Sequence, residues 1–217
     1  MKRSRCIAVA LLLVLGATAS AQQRNVNFDL LQAARGESVA TVRALLDQGA
    51  NPNSRNRLGD SPLNTAARNG NVELTRLLLE RGADVNLANL ARVTPLMSAV
   101  YGGHAEVARM LLAAEASVDP ADRMDKTAMI YAAGNGNAQC VAALLAAGVS
   151  VNQRYANDAT ALMWAAAYGR SDSVRLLLER GADVTARDDR GESALSIAVA
   201  GKHAETAALL RAAGAGS

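Results

Sequence analysis

Apolar and polar positions follow one another along this chain in blocks whose order does not change. A hydroxyl residue comes first, at Ser61, Thr94, Thr127, Thr160 and Ser193, always 33 residues apart. An Ala-rich run comes next, with Ala66, Ala99, Ala132, Ala165 and Ala198 five positions in and Ala33 as their earlier counterpart. Gly70, Gly103, Gly136 or Gly169 then interrupts it. A second apolar block carries Leu45, Leu78, Leu111, Leu144, Leu177 and Leu210 and stops at Gly49, Gly82, Gly148, Gly181 or Gly214. The pattern predicts two short helices per unit. The hydroxyl can accept a bond from the open N–H groups of the first helix, and Pro62 and Pro95 suit its first position. A left-handed Gly can cap the end of the second. Asn/Asp-rich stretches such as Asn86–Arg92 and Arg187–Gly191 turn the chain into the next unit. An Ala that recurs at one register implies another backbone too close for a larger side chain.

The decapeptide RLLLERGADV is spelled at Arg76–Val85 and again at Arg175–Val184, three periods apart, with MLLAAEASVD and ALLAAGVSVN between the copies. A duplicated unit explains this, and a unit of this length cannot bury its own apolar face without neighbours. "SPLNTAARNGNVELTRLLLERGADVN" and "TPLMSAVYGGHAEVARMLL" resemble the ankyrin repeat closely, over about residues 24–214. The resemblance implies an all-α repeat solenoid, a stack of helix pairs with short β-hairpin or turn loops. It implies a domain over 22–217 with units near 24–57, 58–90, 91–123, 124–156, 157–189 and 190–217. There are departures. The His that often follows Thr-Pro-Leu is replaced by Asn64, Met97, Ile130, Met163 and Ser196, and Glu115 stands where sibling units place Gly. The first unit opens at Phe28-Asp29 without a Thr-Pro pair, and the last stops after its second helix.

Residues 1–21 break the pattern. Lys2, Arg3 and Arg5 precede the apolar run Ile7–Ala17, and Ala19-Ser20-Ala21 precedes Gln22. A basic head, a short apolar middle and a small-x-small site predict a secretory signal peptide cleaved near Ala21/Gln22. The run falls short of the roughly 20 apolar residues that cross a bilayer, so no membrane contact is expected after cleavage. The chain holds 23 Lys and Arg against 20 Asp and Glu, and the excess of three equals the basic residues of that head. The remaining chain is balanced, with no basic field to attract nucleic acid. Beyond Cys6 the only cysteine is Cys140, so an exported monomer would be held by packing rather than by an internal disulfide. Together with the absence of any Asn-x-Ser/Thr sequence, this favours a periplasmic or secreted bacterial protein.

Little in the chain points to catalysis. His104 and His203 each open a second helix and lie three units apart, too far to share an ion. Paired carboxylates, a Ser/His/Asp set and a phosphate-cradling Gly loop are missing, so no catalytic residue, metal or cofactor is expected. Cys140 takes the register of Leu74 and Val107 and reads as a buried thiol. The positive signal lies on one side of the first helices, at Tyr131, Trp164 and Tyr168, with Tyr101 one position away and Tyr155 in a turn. In ankyrin proteins this side lines a concave groove, and Trp and Tyr often dominate interface energetics. Tyr131 and Trp164 fit packing between units equally well, whereas Tyr101, Tyr155 and Tyr168 are expected to be exposed. Arg57, Arg68, Arg81 and Arg123 flank the strip and imply a partner with a partly acidic face. The expected function is non-catalytic binding of a protein partner, as a scaffold or protector of a periplasmic enzyme. Inhibition of a toxin or hydrolase in the manner of an immunity protein is a second reading, and a host-directed effector a third. An enzyme would need a metal or nucleophile that the residues do not supply.

Overall fold

A computed structural model of the chain describes residues 25–216. The export segment expected over 1–21 lies outside the described residues. Helix α1 (25–35) pairs with α2 (Val39–Asp47), α3 (Pro62–Asn69) with α4 (Val72–Glu80), and α5 (Pro95–Tyr101) with α6 (Ala105–Ala113). The series continues with α7 (Ala128–Asn135) and α8 (Ala138–Ala146), α9 (Ala161–Ala167) and α10 (Ser171–Glu179), then α11 (Ala194–Ala200) and α12 (Ala204–Ala212). Odd-numbered helices from α3 to α11 stack on one another in one layer, and even-numbered helices from α2 to α12 stack in a second. The result is an all-α solenoid of helix pairs, as the pattern predicts.

Local chemistry explains where each helix begins and ends. The hydroxyls of Ser61, Thr94, Thr127, Thr160 and Ser193 each accept a bond from the backbone N–H three residues on, closing the starts of α3, α5, α7, α9 and α11. Pro62 and Pro95 sit in the first turn, where their missing N–H leaves no acceptor waiting. Ala66, Ala99, Ala132, Ala165 and Ala198 have no exposed surface. Ala33 is only half-buried, because the unit that would cover it from the N-terminal side does not exist among the described residues. Glu115 has φ +63° and so adopts the left-handed conformation its glycine siblings take.

Five loops join the units, at 50–60, 83–93, 116–126, 149–159 and 182–192, hereafter hairpins one to five. Each is closed by one backbone bond, such as Asn89 N–H to Val93 C=O at 3.0 Å. In four of them a side chain shapes the turn as well. Oδ1 of Asn56, Asn89, Asp122 or Asp188 accepts from two backbone N–H groups two and four residues ahead. Hairpin four has Tyr155 at that register, and the chain instead makes a single 3₁₀ turn, Ala156–Asp158, with Asn157 and Asp158 at positive φ. The pairing is too brief for a sheet: the β contact among the described residues is one isolated bridge, Arg187 to Ser193.

Candidate functional site

The odd-numbered helices and the hairpins together form one face, called here the inner face. Among the described residues the large hydrophobic side chains left exposed are Phe28, Leu58, Leu90, Tyr101, Met124, Tyr168 and Val199. All but Val199 lie on the inner side of odd-numbered helices, at the cap of one, or on hairpin tips, and none lies on an even-numbered helix. Val199 stands at the register of the buried Ala67, Val100, Ala133 and Ala166 and opens beside Ala207 and Arg211 of α12, on the last of the described units. Burial of apolar surface is the main driver of association, so this segregation marks the inner face as the one with something to gain from contact.

At its centre is a chain of rings and one cation. Tyr101 and Tyr131 meet edge to face at 5.5 Å between centroids. The Lys126 ammonium lies 5.7 Å from the Tyr131 ring and 5.6 Å from that of Trp164, and Trp164 stacks on Tyr168 at 6.3 Å. Each cation–ring contact of this kind contributes roughly 0.5–2 kcal/mol. Tyr101 and Tyr168 present their rings to solvent, while Tyr131 and Trp164 are half-buried between units. The Tyr168 ring leans back over Gly134, where a Cβ would stand 3.4 Å away. A groove of about 430 Å³ runs beside this chain, lined by Met97, Ser98, Tyr101, Met124, Lys126 and Tyr131 among others.

Asp122 anchors the underside. Its Oδ2 accepts the Tyr131 hydroxyl and its Oδ1 the N–H groups of Met124 and Lys126. Burial pushes this carboxyl up, but those donors and the Lys126 charge outweigh it and leave the group below its ordinary value. Burial and the bond to Asp122 push the Tyr131 phenol strongly up, so it stays a donor. The Lys126 ammonium itself makes no ion pair or hydrogen bond among the described residues.

Several expectations need correction. Tyr155 is not an exposed groove residue: it packs against the core, and its hydroxyl is buried with Thr127 near but out of hydrogen-bonding geometry. Burial pushes that phenol up to about 12. The cause is its register, since Tyr155 stands where the other hairpins place Asn or Asp, and the ring fills the space under the altered turn. Arg81 belongs to the outer layer, where it caps α4 and pairs with Asp47 at 2.7 Å. Arg68 does line the groove, yet its guanidinium is bound to the buried Asp60 at 3.0 Å. Arg57 and Arg123 project from hairpin tips as expected.

His104 and His203 are joints between units: each Nε2 meets a carbonyl of the unit before, Arg68 at 3.0 Å and Ala167 at 3.1 Å. Cys140 is fully buried, and burial pushes its thiol up to about 11 against the opposing pull of Arg109. Among the described residues no group of His, Cys, Asp and Glu could hold a metal ion, and no helix is long and apolar enough to cross a membrane. Sequence reasoning missed Lys126, Asp122 and the tip residues Leu58, Leu90 and Met124. The tip residues had a signal in the hairpin register, where apolar residues are out of place in an otherwise polar turn, and Asp122 had one in sharing the register of Asn56 and Asn89.

A family model described as ankyrin repeats (three copies) matches residues 30–122 and 117–188. Comparison with curated proteins gives no match.

Proposed function

Because the chain belongs to the ankyrin-repeat family, whose repeats are protein–protein interaction modules, we propose that its inner face binds one protein partner and that it performs no reaction of its own. The observation that carries this reading is that, among the described residues, every exposed large hydrophobic side chain but Val199 lies on that face and none on an even-numbered helix. Tyr101 and Tyr168 are the anchors, being rigid, amphipathic and exposed at either end of the ring chain. The basic head, apolar run and Ala19-Ser20-Ala21 support export and a role in the periplasm, as scaffold or inhibitor of the partner. N-terminal sequencing of periplasmic material should then read from Gln22, and full-length chain confined to the cytoplasm would contradict export. Assay of the partner's own activity with and without the chain separates inhibitor from scaffold.

The binding face is tested by changing Tyr101 and Tyr168 together to Ala. Helical content and cooperative unfolding should persist, while affinity for a captured partner falls by roughly 2–4 kcal/mol, the range of interface anchors. Glu73→Ala and Glu205→Ala, both exposed on even-numbered helices, should bind as wild type does. If the tyrosine pair is silent and the glutamate positions matter, the outer face is the functional one.

A further inference from the structure

The inner face changes character along the stack, and we propose that the partner docks through an acidic, apolar segment seated over hairpins one to three. This rests on reading the inner face as the partner's surface. Leu58, Leu90 and Met124 occupy the tips of those hairpins with 67%, 58% and 64% of their surface exposed. They form a ridge of fixed spacing, because the Leu90 N–H donates to the Leu58 carbonyl at 3.0 Å and the Arg123 N–H to that of Ala91 at 3.2 Å. Gly59 permits the first of these approaches: a Cβ there would stand 2.8 Å from the Leu90 nitrogen.

Between the apolar side chains stand Arg57, Arg92 and Arg123, all exposed. None of the three guanidinium groups makes a hydrogen bond or ion pair among the described residues, whereas nearby Arg55 and Arg68 are tethered to Gly59 and Asp60. The balance shifts farther along. Hairpins one to three also expose Asp84, Asp119 and Asp125, whereas hairpins four and five expose Asp158, Asp183, Asp189 and Glu192. The arginines there are held: Arg190 by Asp188 at 2.8 Å, and Arg154 and Arg187 by backbone carbonyls. An acidic segment therefore finds unpaired guanidinium groups over hairpins one to three and an excess of acids over four and five, which favours its placement at the first end.

Lys126 supplies the anchor point at the end of the attractive half. Lys126 is half-buried, and its ammonium has three donors: ring faces lie 5.7 and 5.6 Å away and the Asp122 carboxylate feels its charge, but no hydrogen bond or ion pair holds it among the described residues. In the same groove the Ser98 hydroxyl is buried, 3% of the residue being exposed, and has no hydrogen-bond partner. A carboxylate from the partner satisfies the ammonium, and an apolar neighbour of that carboxylate covers Tyr101 and Met124. Asp122 does not fill this role, since its oxygens already accept from the Tyr131 hydroxyl and the Met124 and Lys126 backbone.

The test is selection of a random dodecapeptide display library on the full chain, followed by fluorescence anisotropy of the enriched peptides. Recovered peptides should be net negative with Leu, Ile, Phe or Trp interleaved. Changing their acids to Gln and Asn should weaken binding about tenfold or more, and so should Arg57→Glu with Arg123→Glu, or Lys126→Met alone. Circular dichroism on each variant establishes that it is folded. Recovery of neutral or basic peptides, or of none, overturns the proposal. So does an acidic peptide that keeps its affinity when its apolar residues become Ser and is displaced by a single-stranded RNA dodecamer, which would indicate a polyanion site. If the recovered peptides are neutral and the Tyr101 and Tyr168 double variant abolishes binding, the acidic partner falls and the inner-face reading stands. If peptides bind and neither the tyrosine nor the arginine variants weaken them, the inner-face reading falls with it.

Discussion

Glu115 shows how one side chain can sit in a place built for none. Its φ of +63° forces Cβ against the following carbonyl, a conformation that costs a non-Gly residue roughly 1 kcal/mol. Glu115→Gly should accordingly raise stability by about 0.5–1 kcal/mol, seen as a higher urea midpoint. A lower midpoint would mean that the Glu115 side chain contributes something the backbone geometry does not reveal. Asp122 makes a prediction of opposite kind. Because its folded value lies below the ordinary one, its contribution is complete above about pH 3.9 and is lost as pH falls through the lowered value. Asp122→Ala should cost about 2–3 kcal/mol at pH 7, since three donors lose a charged acceptor. Asp122→Asn should cost about 1 kcal/mol or less, because Asn56 and Asn89 hold the same turn in their hairpins. Denaturation series between pH 6 and pH 2.5 should show a shallower acid loss in that variant than in wild type. Equal slopes would place the acid sensitivity elsewhere.

Helix pairs hold one another through a repeated joint. The residue that opens each later even-numbered helix reaches back to the preceding unit: His104 to Arg68, Asn137 to Val100, Arg170 to Gly134 and His203 to Ala167, all through carbonyl oxygens. Each such bond is worth about 1 kcal/mol net, and its loss would also strand a carbonyl at the end of a helix. Gly70 shows how tight the joint is, for a Cβ there would stand 2.3 Å from the His104 ring. Ala132 is packed in the same way between α5 and α9, with no exposed surface. Ala132→Leu should cost roughly 1–3 kcal/mol by overpacking, against a change well under that for Ala200→Leu, which is exposed. Parallel thermal melts of the two variants test this, and equal midpoints would show that the layers are not in contact at Ala132. These joints were legible in the sequence because they recur: a hydroxyl, an Ala, a Gly and a polar opener at one spacing describe a stack before any coordinate is known. The site was less legible for the converse reason. Lys126 between two rings occurs once, so periodicity says nothing about it. Tyr155 was misread because an aromatic in a turn looks like a binding residue until its register is set beside Asn56, Asn89, Asp122 and Asp188.

At the scale of the molecule, the hairpins are not joined evenly. Hairpins one and two share the bond from Asp84 N–H to Asn53, the reach of Arg55 to the Ala88 carbonyl, and the bond from Leu90 to Leu58. Hairpins two and three keep the bonds from Ser117 to Asn86 and from Arg123 to Ala91. Hairpins four and five share the bond from Asp183 to Asn152, the reach of Arg154 to the Arg187 carbonyl, and the bond from Asp189 to Asn157. Between three and four no hydrogen bond is formed among the described residues: Ala121 stands where Arg55 and Arg154 reach across, and Tyr155 turns in to pack against the core. The helices behind this break remain packed, α7 against α9. Like a hand with two bundles of fingers bound separately, the array has one seam along its grip that no hydrogen bond between hairpins crosses among the described residues. A partner that spans both bundles crosses this seam, while one held by the first bundle alone does not.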